Sequence, residues 1–360
     1  MERRPTIIDI ADKAGVSFKS VSRVINNEPS VSPRMRRQVQ EAMDELGFEL
    51  NGNARNLRSQ TVEQTFLIAQ LYGDAGGFYS NELQVGLMER CRYFGYHLLV
   101  EEIDYRGPTL ERQARELVSR FRPDGVVLAA PLTDNEAILN ILARAGVPYV
   151  RITPLHESPL SPSVRMDERT ATYQMTQHLL TLGHTRIGFI RGPENHAATH
   201  LRYAGFSQAL HDAKLRVDPN LVKDGEFRYL TALGCAQQLL GRPDRPTAIF
   251  ACSDEMAAAS MKVAHDMNLR LPDQLSVVGF DDMTAAQMLW PALTTIRQPV
   301  KKMGAAAIDL LFTRLSSLGS REWPNPAPHV VLDHDIVLRN STAPAWPGSA
   351  LSRQQTSNEA

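Results

Sequence analysis

Between Ile7 and Leu46 the apolar residues recur at intervals of three and four, the spacing of helices with one buried face. Ile7, Ile10, Ala11 and Ala14 share a face of a first helix that Thr6 can cap. Gly15 supplies a turn residue, Val16 plugs the angle, and Ser17 caps a second helix whose Val21, Val24 and Ile25 point inward. That phase leaves Phe18, Lys19, Ser20, Ser22 and Arg23 facing outward near its start. After the loop NNEPSVSP, Ser32 caps a third helix with Pro33 at its first position and Gly47 as its stop. Val39, Ala42, Met43 and Leu46 form its buried stripe. Residues 49–61 are too polar for a core element, and a short helix around 51–58 is weakened by Gly52 and two asparagines.

From Phe66 the pattern changes to short apolar runs alternating with helix-period segments. Strands are expected at FLIAQLY, YHLLVEEI, DGVVLAAP and VPYVRIT, with helices over 81–94, 109–121 and 136–145 between them. A second series follows, with helices over 169–182, 201–213, 229–240 and 255–267 and strands at RIGFIRGP, 221–227, TAIFACS and LSVVGF. Strands this uniformly apolar, alternating with helices, imply parallel sheets covered on both faces. The expected fold class is an all-α helix-turn-helix headpiece followed by an α/β core of two doubly wound parallel-sheet lobes with a cleft between them. The expected boundaries are 1–48 for the headpiece, 49–61 for a hinge, and 62–341 for the core. Within the core, one lobe takes about 62–165 and 297–328, and the other about 166–296 and 329–341. The helix over 300–315 and a strand at HVVLDHDIVLR return the chain across the lobes, and the Pro/Ser/Gln-rich 342–360 is expected to be a disordered tail.

Composition changes this picture little. The 360 residues are 43% hydrophobic and 22% charged, with a net charge of −1, an ordinary globular balance. The average hides a small asymmetry, because residues 1–60 carry a net +2 and the remainder −3. Arg34, Arg36 and Arg37 cluster, as do Arg55 and Arg58, in the manner of phosphate contacts, although solvated charged faces look the same. No apolar run follows the charged N-terminus and none reaches membrane-spanning length, so neither a signal peptide nor a membrane partner is expected. Cys91, Cys235 and Cys252 stand apart in apolar settings and read as reduced core thiols of a cytoplasmic protein.

Candidate chemistry is sharper at the second helix. An exposed helix start bearing hydroxyls, an aromatic ring and cations suits the DNA major groove, and a pair of helices in an ordinary helical domain is the alternative. An enzyme is the competing class, and its signals are weak. His196 and His200 in HAATH have the spacing of two metal ligands but lack the glutamate of HExxH and a third ligand. Asp281 and Asp282 are adjacent in a strand-end loop, where their side chains diverge. GDAGG is not a phosphate-binding loop, and no GxSxG elbow occurs. No catalytic residue, metal or cofactor is therefore expected.

Eight fragments in order, IIDIADKAGVSFKSVSRVIN, VSPRMRRQVQEAMDELGF, ARNLRS, TQHLLTLGHTRIGFIRGP, LRYAGF, TAIFACSDEMAAASM, LPDQLSVVGFDD and PALTTIRQP, resemble the LacI/GalR family of bacterial transcription regulators. The resemblance covers nearly the whole chain. It implies a headpiece, a hinge helix, a core like that of periplasmic sugar-binding proteins, and a homodimer on palindromic double-stranded operator DNA. It also implies a repressor controlled by a small-molecule effector, a carbohydrate in the first instance. A purine- or other metabolite-responsive regulator, an activator, and a sugar-processing enzyme are the alternatives. By the same resemblance Phe18, Lys19 and Ser20 match the specificity triplet, while Ser17, Ser22, Arg23 and Asn26 match phosphate or base-edge contacts. Thr6, Asn51, Ala54 and Arg55 complete the expected DNA contacts, and Leu57 matches the hinge leucine that wedges into the minor groove. The chain departs from the family at Leu50, where many members carry proline.

Arg202 in LRYAGF matches the arginine that clamps effector oxygens, and Asp281 in GFDD the opposing carboxylate, with an inter-lobe or helix-cap ion pair as the alternative for each. Phe78, Tyr79 and Phe227 match positions lining the family's pocket, where core packing is the default for any single ring. Thr153, Ser253 and His196 match polar wall and rim positions, and a histidine at that rim disfavours a purine.

Lys19→Ala is expected to lower discrimination between operator and non-operator DNA by about 1–3 kcal/mol per affected base pair. Competition binding on operator and scrambled duplexes checks this, and equal losses on both would reduce Lys19 to a phosphate contact.

Overall fold

The computed structural model describes residues 7–17, 20–21, 24, 31–46, 77–101, 103–105, 107–316 and 323–345. Two units emerge: residues 1–65 with 91–97, and residues 66–90 with 98–360. Thr6, Phe18, Lys19, Ser22, Arg23 and Asn26 lie outside the described residues, as do the hinge segment with Asn51, Ala54, Arg55 and Leu57 and the expected first core strand.

In the first unit, α1 (Ile7–Ala14) and α2 (Pro33–Glu45) enclose a core of Ile10, Ala14, Val21, Val24, Val39 and Met43. Val16, Met35 and Leu46 pack around it, so the inward positions expected from the helical period are inward among these residues. Gly15 has φ +61°, a left-handed turn that a Cβ would disfavour. Ser17 Oγ accepts a hydrogen bond from Ser20 N at 3.1 Å, and Ser32 Oγ accepts one from Met35 N at 3.3 Å, so both serines cap as expected. Gln38 Nε2 donates to Ala14 O at 2.8 Å and ties α2 to the end of α1.

The second unit is built on two parallel four-stranded sheets. β1 (Val126–Leu128), β2 (Tyr149–Ile152), β3 (Ser163–Met166) and β9 (His329–Leu332) form one, in that order. Helices α3 (Phe78–Tyr93), α4 (Leu110–Phe121), α5 (Glu136–Arg144) and α11 (Val300–Ser316) accompany it in the chain. The other sheet has the order β5 (Val222–Asp224), β4 (Ile187–Arg191), β6 (Ala248–Ala251), β7 (Ser276–Val278). It is accompanied by α6 (Glu168–Thr181), α7 (Ala197–Asp212), α8 (Tyr229–Leu240) and α9 (Asp254–Asp266). All four residues of β6 are buried, and Phe189 of β4 stacks on Phe206 at 4.4 Å between centroids, so these strands read as continuous apolar runs because both faces are covered. Asn135, Asp167 and Ser253 cap α5, α6 and α9, each accepting a backbone N–H three residues on.

Several expectations need correction. HVVLDHDIVLR is not one strand. It breaks at Asp333–His334 into β9, which joins the first-lobe sheet beside β3, and β10 (Asp335–Val337), which pairs antiparallel with β8 (Thr295–Arg297). Residues 329–332 therefore belong to the first lobe, because their backbone bonds are made there. β3, β8 and the short α10 (Thr284–Met288) were not anticipated, since runs of three to five residues carry too little periodicity. At YHLLVEEI the described residues hold only an isolated bridge at Leu99. The tail does not begin at 342: Ala345 N donates to Leu182 O at 2.8 Å and His184 Nε2 donates to Ala343 O at 3.0 Å. Residues 346–360 lie outside the described residues.

The chain passes between the two sheets after β3, between β8 and α11, and between β9 and β10. These crossings bring Glu168, Gln298 and the loop after β7 toward one another. Close approach of α6 and α7 is set by Gly205, where an added Cβ would lie 2.2 Å from the Arg169 carbonyl oxygen. Gly205→Ala is expected to destabilise the core by about 1–3 kcal/mol through overpacking, despite alanine's better helix propensity. A lower melting temperature in calorimetry is the expected outcome, and an unchanged one would mean that the helices separate without cost.

Candidate functional site

Arg202 lies one turn into α7 and is 4% exposed. Its Nε donates to Glu168 Oε2 at 2.7 Å, its Nη2 to Glu168 Oε1 at 3.4 Å, and its Nη1 to Cys252 O. These bonds use three of the guanidinium's five N–H groups. The Phe280 ring lies under it, 3.5 Å from Cζ to centroid, and Phe227 stands at 5.6 Å. Glu168 is the first residue of α6, after the Asp167 cap, where a helix N-terminus favours negative charge. Burial opposes the charge on Arg202, but Glu168 and Asp281 outweigh it and raise its pKa.

Around this pair is a cavity of about 470 Å³, the size of a small-molecule site. Phe78, Tyr79, Thr153, His196, Arg202, Phe227, Ser253 and Asp281, the residues expected to surround an effector, all line it. Phe78 and Tyr79 open α3, Thr153 follows β2, and Ser253 caps α9 after β6. His196 precedes α7 and meets Phe227 edge to face at 5.2 Å. Phe227 reaches the cavity because Gly192 beneath it has no side chain: a Cβ there would fall 2.2 Å from the ring.

Asp281 accepts a hydrogen bond from Gln298 Nε2 at 2.5 Å. Burial pushes its pKa up to about 7, Arg202 and Gln298 pull it back, and Glu168 and Glu255 push it further. Its neighbour Asp282 diverges, as expected for adjacent carboxylates, and accepts from Arg297 Nε at 2.7 Å and Arg339 Nη2 at 2.6 Å. Burial, with the charges of Arg202 and His200, lowers the His196 pKa to about 3, so its ring is neutral at ordinary pH. The Tyr79 hydroxyl is pushed upward by burial and by Glu168. His196 Nδ1 and Gln298 Oε1 are buried without a hydrogen-bond partner, which is costly unless a ligand or water supplies one.

Thr153, Glu226, Phe227 and Asp281 all have positive φ, at 48°, 57°, 56° and 117°. Strained non-glycine residues of this kind gather at functional sites. Sequence reasoning missed Glu168 and Gln298, and also the rim residues Glu226, Arg228 and Glu255. Glu168 carried a usable signal, since it follows a capping Asp167 at a helix start. Gln298 carried none, because its position depends on the crossing between β8 and α11. His200 Nε2 bonds the Glu194 carbonyl oxygen at 2.6 Å, and HAATH is a helix start with His196 at the N-cap position, its side chain making no cap bond. Of the expected DNA contacts only Ser17 and Ser20 are described, and their hydroxyls bond each other at 2.9 Å.

HTH-type transcriptional regulator DegA of Bacillus subtilis (strain 168) is 32% identical over 345 residues, 95% of this chain and 99% of its own. Residues 6–51 match the description "Bacterial regulatory proteins, lacI family" and residues 176–342 match "Periplasmic binding protein-like domain". The chain belongs to the LacI family. HTH-type transcriptional regulator GalR of Escherichia coli (strain K12) is 32% identical over 92% of this chain and 95% of its own. Among solved structures, a transcriptional regulator CelR–cellobiose complex is similar at TM-score 0.70 and 29% identity, covering 94% of this chain and all of its own. The lac repressor dimer bound to operator and the anti-inducer ONPF is similar at TM-score 0.73 and 25% identity, covering 95% and 100%. These LacI-family relatives are transcription regulators, not enzymes. Among the described residues of this LacI-family chain no helix is long and apolar enough to cross a membrane, and Cys91, Cys235 and Cys252 are buried and unbridged.

The Asp281 carboxyl has a pKa of about 7 in the folded protein against a usual 3.8. Its contribution to stability is therefore full below pH 4 and is lost as pH rises through 7. Asp281→Asn is expected to remove that loss, raising the melting temperature over wild type at pH 8 and converging with it near pH 4. Melting curves across this range check the prediction, and a variant less stable than wild type at pH 8 would contradict it.

Proposed function

We propose that the chain is a homodimeric, cytoplasmic transcriptional repressor whose affinity for a palindromic operator is set by a carbohydrate held in the Arg202 cavity. It is a regulator and not an enzyme. The observation that supports this most is the convergence of all eight expected residues on one cavity, in which buried polar atoms of His196 and Gln298 lack partners. A hydroxyl-rich ligand supplies those partners, while the Phe78, Tyr79 and Phe227 rings offer flat apolar faces to a sugar ring. Arg202 retains N–H donors toward ligand oxygens, and Asp281 faces them as an acceptor.

The DNA end rests on the headpiece. Phe18, Lys19 and Ser20 read base edges from the start of the second helix, and Ser17, Ser22, Arg23 and Asn26 fix it on the backbone. Thr6, Asn51, Ala54 and Arg55 add contacts, and Leu57 enters the minor groove from the hinge. The headpiece is 1–48, the hinge 49–61 and the core 62 onward, with 329–332 assigned to the first lobe. Ligand bridging the lobes favours one core arrangement, and the difference in its affinity for the two arrangements limits how far DNA binding shifts.

The test is fluorescence anisotropy of operator DNA with the full chain, with and without a panel of mono- and disaccharides. The expected result is a salt-dependent, sequence-selective affinity that one of the sugars changes. Arg202→Ala is expected to abolish the sugar's effect and its stabilisation of the core against melting, while ligand-free operator binding persists. Conversion of a sugar to product without any effect on DNA would overturn the reading.

A further inference from the structure

The cavity's charge distribution goes beyond its size and rings. Its deepest charged groups are one guanidinium and two carboxylates. Glu168 engages Arg202 through both oxygens, so the arginine's charge is already matched before any ligand arrives. Asp281 lines the same cavity and accepts a hydrogen bond from the neutral Gln298 amide, with no cation bonded to it among the described residues. The rim holds Glu226, Glu255 and Arg228, again two acids to one base. His196 adds no charge, because burial keeps its ring neutral. With Asp281 ionised the lining carries a net −2 from four carboxylates and two guanidinium groups. Gln298, which lines this space and is 6% exposed, has an Oε1 buried without a partner, an acceptor that calls for a donor and not for another acceptor.

We infer that the cavity selects a hydroxyl-rich ligand without negative charge, and that Glu168 and Asp281 exclude the phosphorylated and carboxylated forms of the same sugar. This deepens the reading of the cavity as a carbohydrate site and rests on it. A ligand hydroxyl or ammonium donates to Asp281 Oδ and Gln298 Oε1 and satisfies both. A phosphate or carboxylate in the same place meets acceptors it cannot pair with, and a carboxylate a few ångströms away repels it. Arg202 relieves this only in part, because Glu168 already engages its Nε edge.

The experiment measures, at pH 8 where Asp281 is ionised, melting shifts and calorimetric affinities of the full chain against matched sets. Glucose, glucosamine, glucuronate and glucose 6-phosphate form one set, and galactose and cellobiose with their acid or phosphate forms provide others. Within the set that binds, the neutral and amine forms are expected to bind at least about tenfold more tightly than the acid and phosphate forms. Glu168→Gln is expected to narrow that gap by about tenfold, since it leaves Arg202 unmatched. Should Glu168→Gln fail to fold, Glu226→Gln/Glu255→Gln at the exposed rim is expected to narrow the gap in the same direction. Equal or tighter binding of the acid or phosphate form overturns charge selection and leaves the carbohydrate site standing. No shift with any sugar in any form overturns both.

Discussion

The pairing of Glu168 with Arg202 holds together elements that are far apart in the chain. Glu168 begins α6, Arg202 sits in α7, the carbonyl that takes the third bond belongs to Cys252 after β6, and the ring beneath is Phe280 after β7. Taking both charges out of water is costly, and the two-oxygen geometry, the carbonyl and the aromatic face are what offset it. Removing either partner would strand a charge in the second-lobe core. The pair is possible only because Gly205, one turn beyond Arg202, lets α7 settle against the backbone of α6.

From that anchor the cavity inherits its shape. Its walls include Thr153, Glu226, Phe227 and Asp281, all with positive φ. Conformations of this kind cost roughly 1–3 kcal/mol each and persist where the surroundings over-determine them. Here the surroundings are the close-packed sheets on either side, such as the Phe189, Phe206 and Phe250 cluster. Rigid sheets therefore carry irregular strand-end loops. The crossings that join the sheets are short, which suits two lobes that change their relation around a ligand without repacking their interiors. The second lobe is closed at its far end by the C-terminal segment, where neutral His184 bonds Thr247, Ser276 and Ala343 together.

Much of the architecture was legible because its signals are local. Helical periodicity placed Ile10, Val21, Val39 and Met43 inside the headpiece, and serine caps marked two of its helix starts. Uniformly apolar runs such as AIFA marked buried parallel strands. Helices of twelve residues or more were found with errors of no more than four residues at their ends, and the one over 229–240 with none. What escaped were β3, β8 and α10, too short for a period to register, and the break between β9 and β10, which no residue in that run announces.

The same division governs the site. Arg202, Asp281, Phe227 and the other wall residues could be named from motifs, since each stands at a strand end or helix start that the sequence marks. Which carboxylate binds the arginine was decided in three dimensions: Asp281 was expected only as the effector-binding group opposite Arg202, and it is Glu168 that bonds the arginine, because the helix contact at Gly205 brings it within reach. Sequence alone determined the composition of the lobes, the helical faces and the roster of polar groups, all of which depend on neighbours a few residues away. The tertiary structure alone decided pairing, protonation and strain, because those depend on distances between segments that the chain brings together only when folded.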